Sequence, residues 1–325
     1  MKVLVCGGAG YIGSHMVQLL VEQGHESVTV DNLSTGHADA VKDTRLIVGD
    51  ILDRTFLDNV FSDHGPFDLI MHFCAKSLVG ESVEMPHVYY ENNVTGTLQL
   101  LDAMRRFEHK RLVFSSTAAT YGIPKADLID ESHICSPINP YGKTKLAVEQ
   151  ALADYHAAYG IRSLSFRYFN ACGAHPDTGI GERHDPETHL IPNVLNSLLQ
   201  GDVTLKMFGD NYETPDGSCV RDYIHVCDIA DAHLAAAAYL EQDDGASVMN
   251  LGNGGGFSVL EVIGAVERVT GHVVSFTVED RRPGDPPRLV ADATLARKLL
   301  KWQPRFTSID SIIETAWRFH QSLLP

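Results

Sequence analysis

The chain has 325 residues, 44% hydrophobic and 21% charged, which suits a globular protein of two domains or one elaborated α/β domain. A formal net charge of −16 argues against nucleic acid and anionic membrane as partners, and no apolar run is long enough to span a bilayer. The 6 cysteines show no Cys-x-x-Cys and the 16 histidines no ligand spacing, so neither disulfides nor a metal is expected, and the protein reads as cytoplasmic with reduced thiols.

Met1-Lys2 leads straight into an aliphatic run, Val3 to Cys6, with the look of a buried strand rather than a signal peptide. Glycine-rich Gly7-Gly8-Ala9-Gly10-Tyr11-Ile12-Gly13 follows, then a helix to about Gln23. Glu26–Val30 reads as a second strand ending at Asp31. Further strands are expected at Leu46–Val48, Leu69–His72 and Leu112–Ser115, with helical patterns between them, notably Asn92–Phe107. This alternation predicts an α/β fold with a Rossmann-type, doubly wound parallel sheet. Gly181–Pro192 is a charged loop leading into a helix. Val220–Leu240 is expected to return to the first domain as strand and helix, with Ile224-His225-Val226 as the strand. Ser258–Gly271 and Ile309–Leu324 would be helices of a smaller C-terminal α/β substrate domain. The expected division is 1–170 plus about 219–252 for a dinucleotide, and about 171–218 plus 253–325 for the substrate.

Gly8, Gly10 and Gly13 fit G-x-G-x-x-G. The first would give a tight turn, the second a close approach to a pyrophosphate, and the third close helix–strand packing. The following helix N-terminus would face the phosphates. Asp31 would accept hydrogen bonds from ribose hydroxyls and repel a 2′-phosphate. No arginine follows in Asn32-Leu33-Ser34, so NAD is expected over NADP. Asp50 and Ile51 could contact the adenine. Phe73-Cys74-Ala75 ends the fourth strand at the sheet edge where ligands bind. Further on, Tyr141 and Lys145 are four apart, on one face of a helix. A cation beside a phenol favours the phenolate, which makes tyrosine usable as a base. A lone Tyr-x-x-x-Lys is ordinary helix surface. Combined with the glycine loop, it points to hydride chemistry on an alcohol.

These motifs identify a resemblance over nearly the whole chain to the extended short-chain dehydrogenase/reductase family, in its branch of UDP-hexose 4-epimerases. It is carried by the glycine loop with Ser14-His15, Asp31-Asn32-Leu33-Ser34, Val79-Gly80-Glu81-Ser82, Tyr89-Tyr90-Glu91-Asn92-Asn93-Val94, Phe114-Ser115-Ser116-Thr117-Ala118-Ala119 and Tyr141-Gly142-Lys143-Thr144-Lys145. Arg167-Tyr168-Phe169-Asn170, Phe208-Gly209, Val220-Arg221-Asp222-Tyr223-Ile224-His225-Val226, Asn250-Leu251-Gly252 and Arg281-Arg282-Pro283-Gly284-Asp285 complete it. The resemblance implies reversible inversion at C4 of a UDP-hexose through a 4-keto sugar, with tightly bound NAD that is not net consumed. Tyr141 would be the base, Lys145 would bind the nicotinamide ribose and lower the Tyr141 pKa, and Thr117 would bind the same sugar oxygen. Cofactor contacts would come from Gly7, Gly10, Tyr11, Ile12, Gly13, Asp31, Asn32, Asp50, Ile51, Phe73, Ala75, Asn92, Tyr141, Lys145 and Phe169. Asn170, Leu190, Phe208, Arg221, Tyr223, Arg282, Asp285 and Leu289 would serve the UDP-sugar, the arginines at the diphosphate and Asp285 at the uridine ribose. A homodimer through Asn92–Phe107 and Tyr141–Tyr159 is implied as well.

Departures bear on specificity. The family's lysine near the diphosphate aligns with Ser77, beside Lys76, and neither receives a role. Leu289 replaces a tyrosine found in some members. Either the smaller side chain admits UDP-N-acetylhexosamines or the backbone closes the gap. A 4,6-dehydratase would need acidic residues after Thr117, where Ala118-Ala119 stand. A UDP-glucuronate enzyme would need a cation near the sugar, for which Arg288 is a candidate. A non-catalytic NAD-binding regulator would not need Thr117, Tyr141 and Lys145 together.

Overall fold

Residues Lys2–Cys6 put Val3 and Val5 on one face and Leu4 and Cys6 on the other, all fully buried, so this strand needs cover on both sides. The structure, a computed structural model, describes every residue except 202, 203, 283 and 325. Six parallel strands come first: β1 (Lys2–Cys6), β2 (Glu26–Asp31), β3 (Arg45–Val48), β4 (Leu69–His72), β5 (Arg111–Thr117) and β6 (Arg162–Tyr168). Then β7 (Asn170–Cys172), β8 (Leu205–Phe208), β9 (Val220–Arg221) and β10 (Tyr223–His225) form smaller sheets. β11 (Ala246–Leu251) returns beside β6, followed by β12 (Phe257–Ser258), β13 (Phe276–Glu279) and β14 (Arg288–Leu289). The main sheet has the order β11-β6-β5-β4-β1-β2-β3. Its strand order reverses between β1 and β4, and the crevice beyond their C-terminal ends is where such sheets take a ligand.

The helices are α1 (Tyr11–Glu22), α2 (Arg54–His64), α3 (Val79–Glu84), α4 (Pro86–Tyr89), α5 (Gly96–Arg106), α6 (Pro140–Tyr159), α7 (Leu190–Gln200), α8 (Val226–Gln242), α9 (Val259–Thr270), α10 (Thr294–Leu300) and α11 (Ile309–Ser322). On one face of the main sheet, Met16, Val17 and Leu20 of α1 pack with Ile229, Ala236 and Leu240 of α8. On the other, Leu57 and Phe61 of α2, Leu100 and Met104 of α5, and Val148 and Leu152 of α6 pack against Leu4, Ile70 and Phe114. Each such side chain contributes about 1.5–3 kcal/mol by leaving water. A third core joins Val194 and Leu195 of α7, Val262 and Val266 of α9, and Ile312 and Ile313 of α11. Ala293, Ala296, Leu300 and Trp302 belong to the first core, so the chain crosses back once more than the sequence reading supposed.

Two other expectations change. The helix expected over Asn92–Phe107 starts earlier: α4 runs through a wide π-type turn, Tyr90–Thr95, into α5. The strand at Tyr223–His225 does not join the main sheet; it pairs with β7 alone, although Ile224 and α8 pack into the first core. Three residues are enough to anchor the start of α8 but too few to make a new edge on a six- or seven-residue ladder.

Fully buried Asp222 knits these pieces together. Its carboxylate accepts from the backbone N–H groups of Asn253 (2.8 Å), Gly254 (3.0 Å) and Ala291 (3.1 Å). Its own carbonyl oxygen accepts from Asn170 N at 3.0 Å, and its N–H donates to Leu289 O at 3.1 Å. Asp222→Ala should strand three buried donors and lower unfolding stability by about 3–5 kcal/mol, read from the denaturant midpoint. A loss below about 1 kcal/mol would show that the junction does not depend on this carboxylate.

Candidate active site

The loop between β1 and α1 turns on Gly7, whose φ is +79°. The sequence reading gave that turn to Gly8, but Gly8 instead lies against Thr29, whose Cγ2 would be 2.6 Å from an added Cβ. The effective spacing is therefore Gly7-x-x-Gly10-x-x-Gly13. A Cβ on Gly13 would sit 2.1 Å from Gly7 O, so α1 can approach the turn only as glycine. A Cβ on Gly10 would meet only Gly7 O, at 3.4 Å, so the protein itself leaves room there. That space, at the N-terminus of a helix beside a buried carboxylate, fits a dinucleotide diphosphate.

Asp31, at the end of β2, is 8% exposed. Its Oδ2 accepts from Ala9 N at 3.0 Å and its Oδ1 from Leu33 N at 2.8 Å. Each oxygen keeps acceptor capacity for a ribose hydroxyl. Asn32 donates to Asp50 Oδ2 at 2.8 Å, which brings those two expected residues together, while Ile51 is buried in the second core. Phe73 N donates to Cys6 O at 2.7 Å, which sets Phe73 and Ala75 at the switch point. Tyr11 opens α1, and its Oη donates to Gly173 O at 2.6 Å, so its side chain ties the loop to the chain beyond β7. Asn92 is partly buried and donates to Asn93 Oδ1 at 2.9 Å. It is Asn93 that fastens the segment after β4, accepting from Lys76 N at 2.8 Å and donating to Lys76 O and Thr144 Oγ1. Ser77 is exposed.

Helix α6 brings Tyr141 and Lys145 to the end of β5. Asn139 caps it by accepting from Gly142 N at 2.8 Å, with Pro140 in the first turn. Burial pushes the Tyr141 phenol up, and a hydrogen bond with Thr117 opposes that shift. Lys145 is 2% exposed and donates to Ser115 O at 2.7 Å, with its Nζ 4.7 Å from the centre of the Phe114 ring. Burial pushes its ammonium down to about 7, against attraction from Cys74 and Glu149. Glu149, one helical turn after Lys145, went unnoticed in the sequence. It accepts from Arg167 Nε at 3.0 Å and from Ser116, within a buried ion pair. Its signal was available: i+4 from the lysine on the same buried face.

The second lobe gathers a separate set. Arg221 pairs with Asp285 at 2.5 Å, and the Arg282 guanidinium lies 4.0 Å over the Phe208 ring. Pro283, within that run, lies outside the described residues. Arg221 stands opposite Leu289 in the β9–β14 register, and Leu289 and Phe169 pack with Ala118, the residue after Thr117. This links the arginine region to the catalytic strand end. Asn170 starts β7 and Leu190 starts α7. Tyr223 is not brought to the cleft: it is 4% exposed, inside the third core. Arg288 donates to Gly255 O at 3.0 Å. Although the sequence shows no ligand spacing, the fold of the loop before α7 collects Glu182, His184, Glu187 and His189 into one cluster. All six cysteines are free, and among the described residues no helix is long and apolar enough to cross a membrane.

The profile of the NAD dependent epimerase/dehydratase family matches residues 3–252. The chain is 50% identical to a UDP-glucose 4-epimerase of Halalkalibacterium halodurans, over 99% of this chain and 96% of that one. Its fold is similar to a UDP-glucose 4-epimerase from Brucella ovis solved in complex with NAD, with a TM-score of 0.94 and 48% identity over 98% of this chain and 97% of that one. It is also similar to the Bifidobacterium longum enzyme in complex with NAD+ and UDP, with a TM-score of 0.92 and 37% identity over 99% of both chains.

Two tests follow from this geometry. Gly10→Ala should fold normally yet lose NAD affinity, whereas Gly13→Ala should lose both stability and NAD, read by melting and by cofactor content after gel filtration. Equal behaviour of the two variants would contradict the loop geometry. For Lys145, the unfolded chain keeps a proton that the NAD-free native state releases above about pH 7. Wild-type stability should therefore rise relative to Lys145→Met between about pH 7 and 9, by about 1–2 kcal/mol. Parallel pH profiles would show that the ammonium is not held out of water.

Proposed function

The chain belongs to the NAD dependent epimerase/dehydratase family, and we propose that it works as a UDP-glucose 4-epimerase, interconverting UDP-galactose and UDP-glucose. The observation that carries this reading is the meeting of Thr117, Tyr141 and Lys145 at the end of β5, next to a glycine loop and Asp31 suited to NAD.

The bound dinucleotide supplies, at the sugar C4, a two-electron oxidant and then a reductant, with no net redox change. The backbone at Gly7, Gly10 and Gly13 would hold its diphosphate, and Asp31 a ribose. Tyr141 Oη takes the proton from the sugar 4-hydroxyl, and Thr117 Oγ1 hydrogen-bonds the same oxygen. Burial disfavours both a lone phenolate and a lone ammonium here. A tyrosinate beside a charged Lys145 satisfies both, so proton removal is favoured when the two ionise as a pair. Glu149 supports the charged lysine from behind.

Arg221 and Arg282 hold the diphosphate as planar donors, Phe208 offers a face to the uracil, and Asp285 serves the uridine ribose. Asn170 and Leu190 flank the nucleotide. Gripping UDP while leaving the hexose lightly held lets the 4-keto sugar turn and return its other face. We assign NAD to 1–170 and about 219–252, and the nucleotide sugar to about 171–218 and 253–325 except for the stretch around Ala293–Trp302, which packs in the first core. Free cysteines support a cytoplasmic enzyme. We also propose a homodimer through α5 and α6; the exposed apolar side chains nearest to it are Met85 and Tyr90, ahead of α5, and Tyr159, at the end of α6.

Tyr141→Phe should lower kcat by about 10²–10⁴-fold while NAD stays bound. Near-normal turnover of UDP-galactose in that variant would sink the assignment. Leu289 leaves more room beside the sugar C2 than a tyrosine. We therefore expect turnover of UDP-N-acetylgalactosamine that Leu289→Tyr abolishes while UDP-galactose turnover persists. No wild-type activity on the acetylated sugar would reject that tolerance.

A further inference from the structure

The loop between β7 and α7 carries chemistry that the reaction does not use. One ligand atom from each of Glu182, His184, Glu187 and His189 lies within 4.8 Å of the other three. His184 Nδ1 is 2.9 Å from Glu182 Oε1 and 3.8 Å from Glu187 Oε2. His189 Nδ1 is 2.7 Å from the same Glu182 oxygen and 3.1 Å from Glu187 Oε1. Glu182 is 5% exposed, so its carboxylate is held away from water. We propose that these four side chains form a closed, structural binding site for one zinc-type divalent cation.

The donor set selects the ion. Two imidazoles and two carboxylates make four N/O ligands, which suit zinc, whereas calcium and magnesium favour oxygen shells with more ligands. At zinc bond lengths, a tetrahedron places neighbouring ligand atoms about 3.3–3.6 Å apart. The separations of 2.7, 2.9, 3.1 and 3.8 Å bracket that range, so a cation needs only sub-ångström adjustments. Both rings approach through Nδ1 and converge on one carboxylate oxygen. A single dication would balance both carboxylates and satisfy both rings while neutral, replacing two separate ring protons. Beside the cluster stands His320 of α11, 4% exposed and with no hydrogen-bond partner for its Nδ1, under the influence of Glu182 and Glu187. It is one more imidazole turned inward in this part of the fold without a partner.

The position gives the cation a task. The same loop meets the dinucleotide half through several polar contacts. Tyr11 Oη donates to Gly173 O at 2.6 Å, Arg183 donates to both Asp39 oxygens at 2.8 and 3.0 Å, His37 Nε2 lies 2.9 Å from Arg183 O, and Lys42 donates to Thr178 O at 2.9 Å. His189 directly precedes α7. A cation here clamps the connection between the glycine loop and the first turn of α7. With all four positions filled by protein, none is left open for a substrate, as in structural rather than catalytic sites.

The test uses untagged full-length protein, stripped with chelator and then titrated with zinc alone and, separately, with cobalt as a spectroscopic probe. We expect about one zinc per chain by elemental analysis, a tetrahedral cobalt absorption band and a zinc-dependent rise in melting temperature. The double variant His184→Gln with Glu187→Gln should weaken zinc binding by at least about 100-fold and lose the cobalt band, with circular dichroism reporting that it is folded. His184→Gln alone, which keeps three ligands, serves if the double variant does not fold. Failure of the wild type to take up stoichiometric zinc, an octahedral cobalt spectrum, or unchanged affinity in a folded variant would overturn the site and leave the cluster an internal ion-pair network. Epimerase activity does not enter these readouts, so the site and the proposed function stand or fall separately.

Discussion

Lys145 is an amino group kept in the interior, 2.7 Å from the Ser115 carbonyl oxygen and 4.7 Å from the Phe114 ring centre. Much of the catalytic half is arranged around holding it there. Burial alone favours its neutral form, and burial likewise favours the neutral phenol of Tyr141. A site in which each charge is costly alone and favourable as a pair is a site for moving one proton under control. The supports are structural: β5 presents the Ser115 carbonyl and Thr117, α6 fixes the four-residue offset, and the Glu149–Arg167 pair seals the far side.

The same sheet explains why the cofactor and substrate halves meet where they do. The order reverses between β1 and β4, which opens the crevice at the glycine loop. Strand β5 lies next to β4, so Thr117 stands beside that crevice. The chain then leaves the main sheet at β7 and returns at β11, and Asp222 ties the departing and returning segments through buried hydrogen bonds. Arg221 and Leu289, on neighbouring short strands around this aspartate, inherit their places from it.

The legible parts of the sequence were those whose chemistry sits in a local pattern. The glycine loop, Asp31 at a strand end and Tyr-x-x-x-Lys each occupy a few consecutive residues, and hydrophobic periodicity gave the strands β1, β2 and β4 closely. What escaped depends on contacts between distant segments. Gly7 rather than Gly8 makes the turn, with Thr29 of β2 packed against Gly8, and the Tyr11 hydroxyl bonds the Gly173 carbonyl from far along the chain. Tyr223 looked like a binding residue by its neighbours in the chain, yet its own side chain is buried in the third core while Ile224 beside it enters the first. Glu182, His184, Glu187 and His189 follow no helical or strand period, so only the folded loop brings them together.

The central claim is that the C4 hydrogen leaves the sugar and comes back while the enzyme holds it. The most direct measurement is conversion of UDP-galactose carrying deuterium at C4, by protein with no added NAD. Retention of the label at C4 of the UDP-glucose formed is the predicted result. Conversion with the label lost to water would contradict the account, as would no conversion by protein shown to contain NAD.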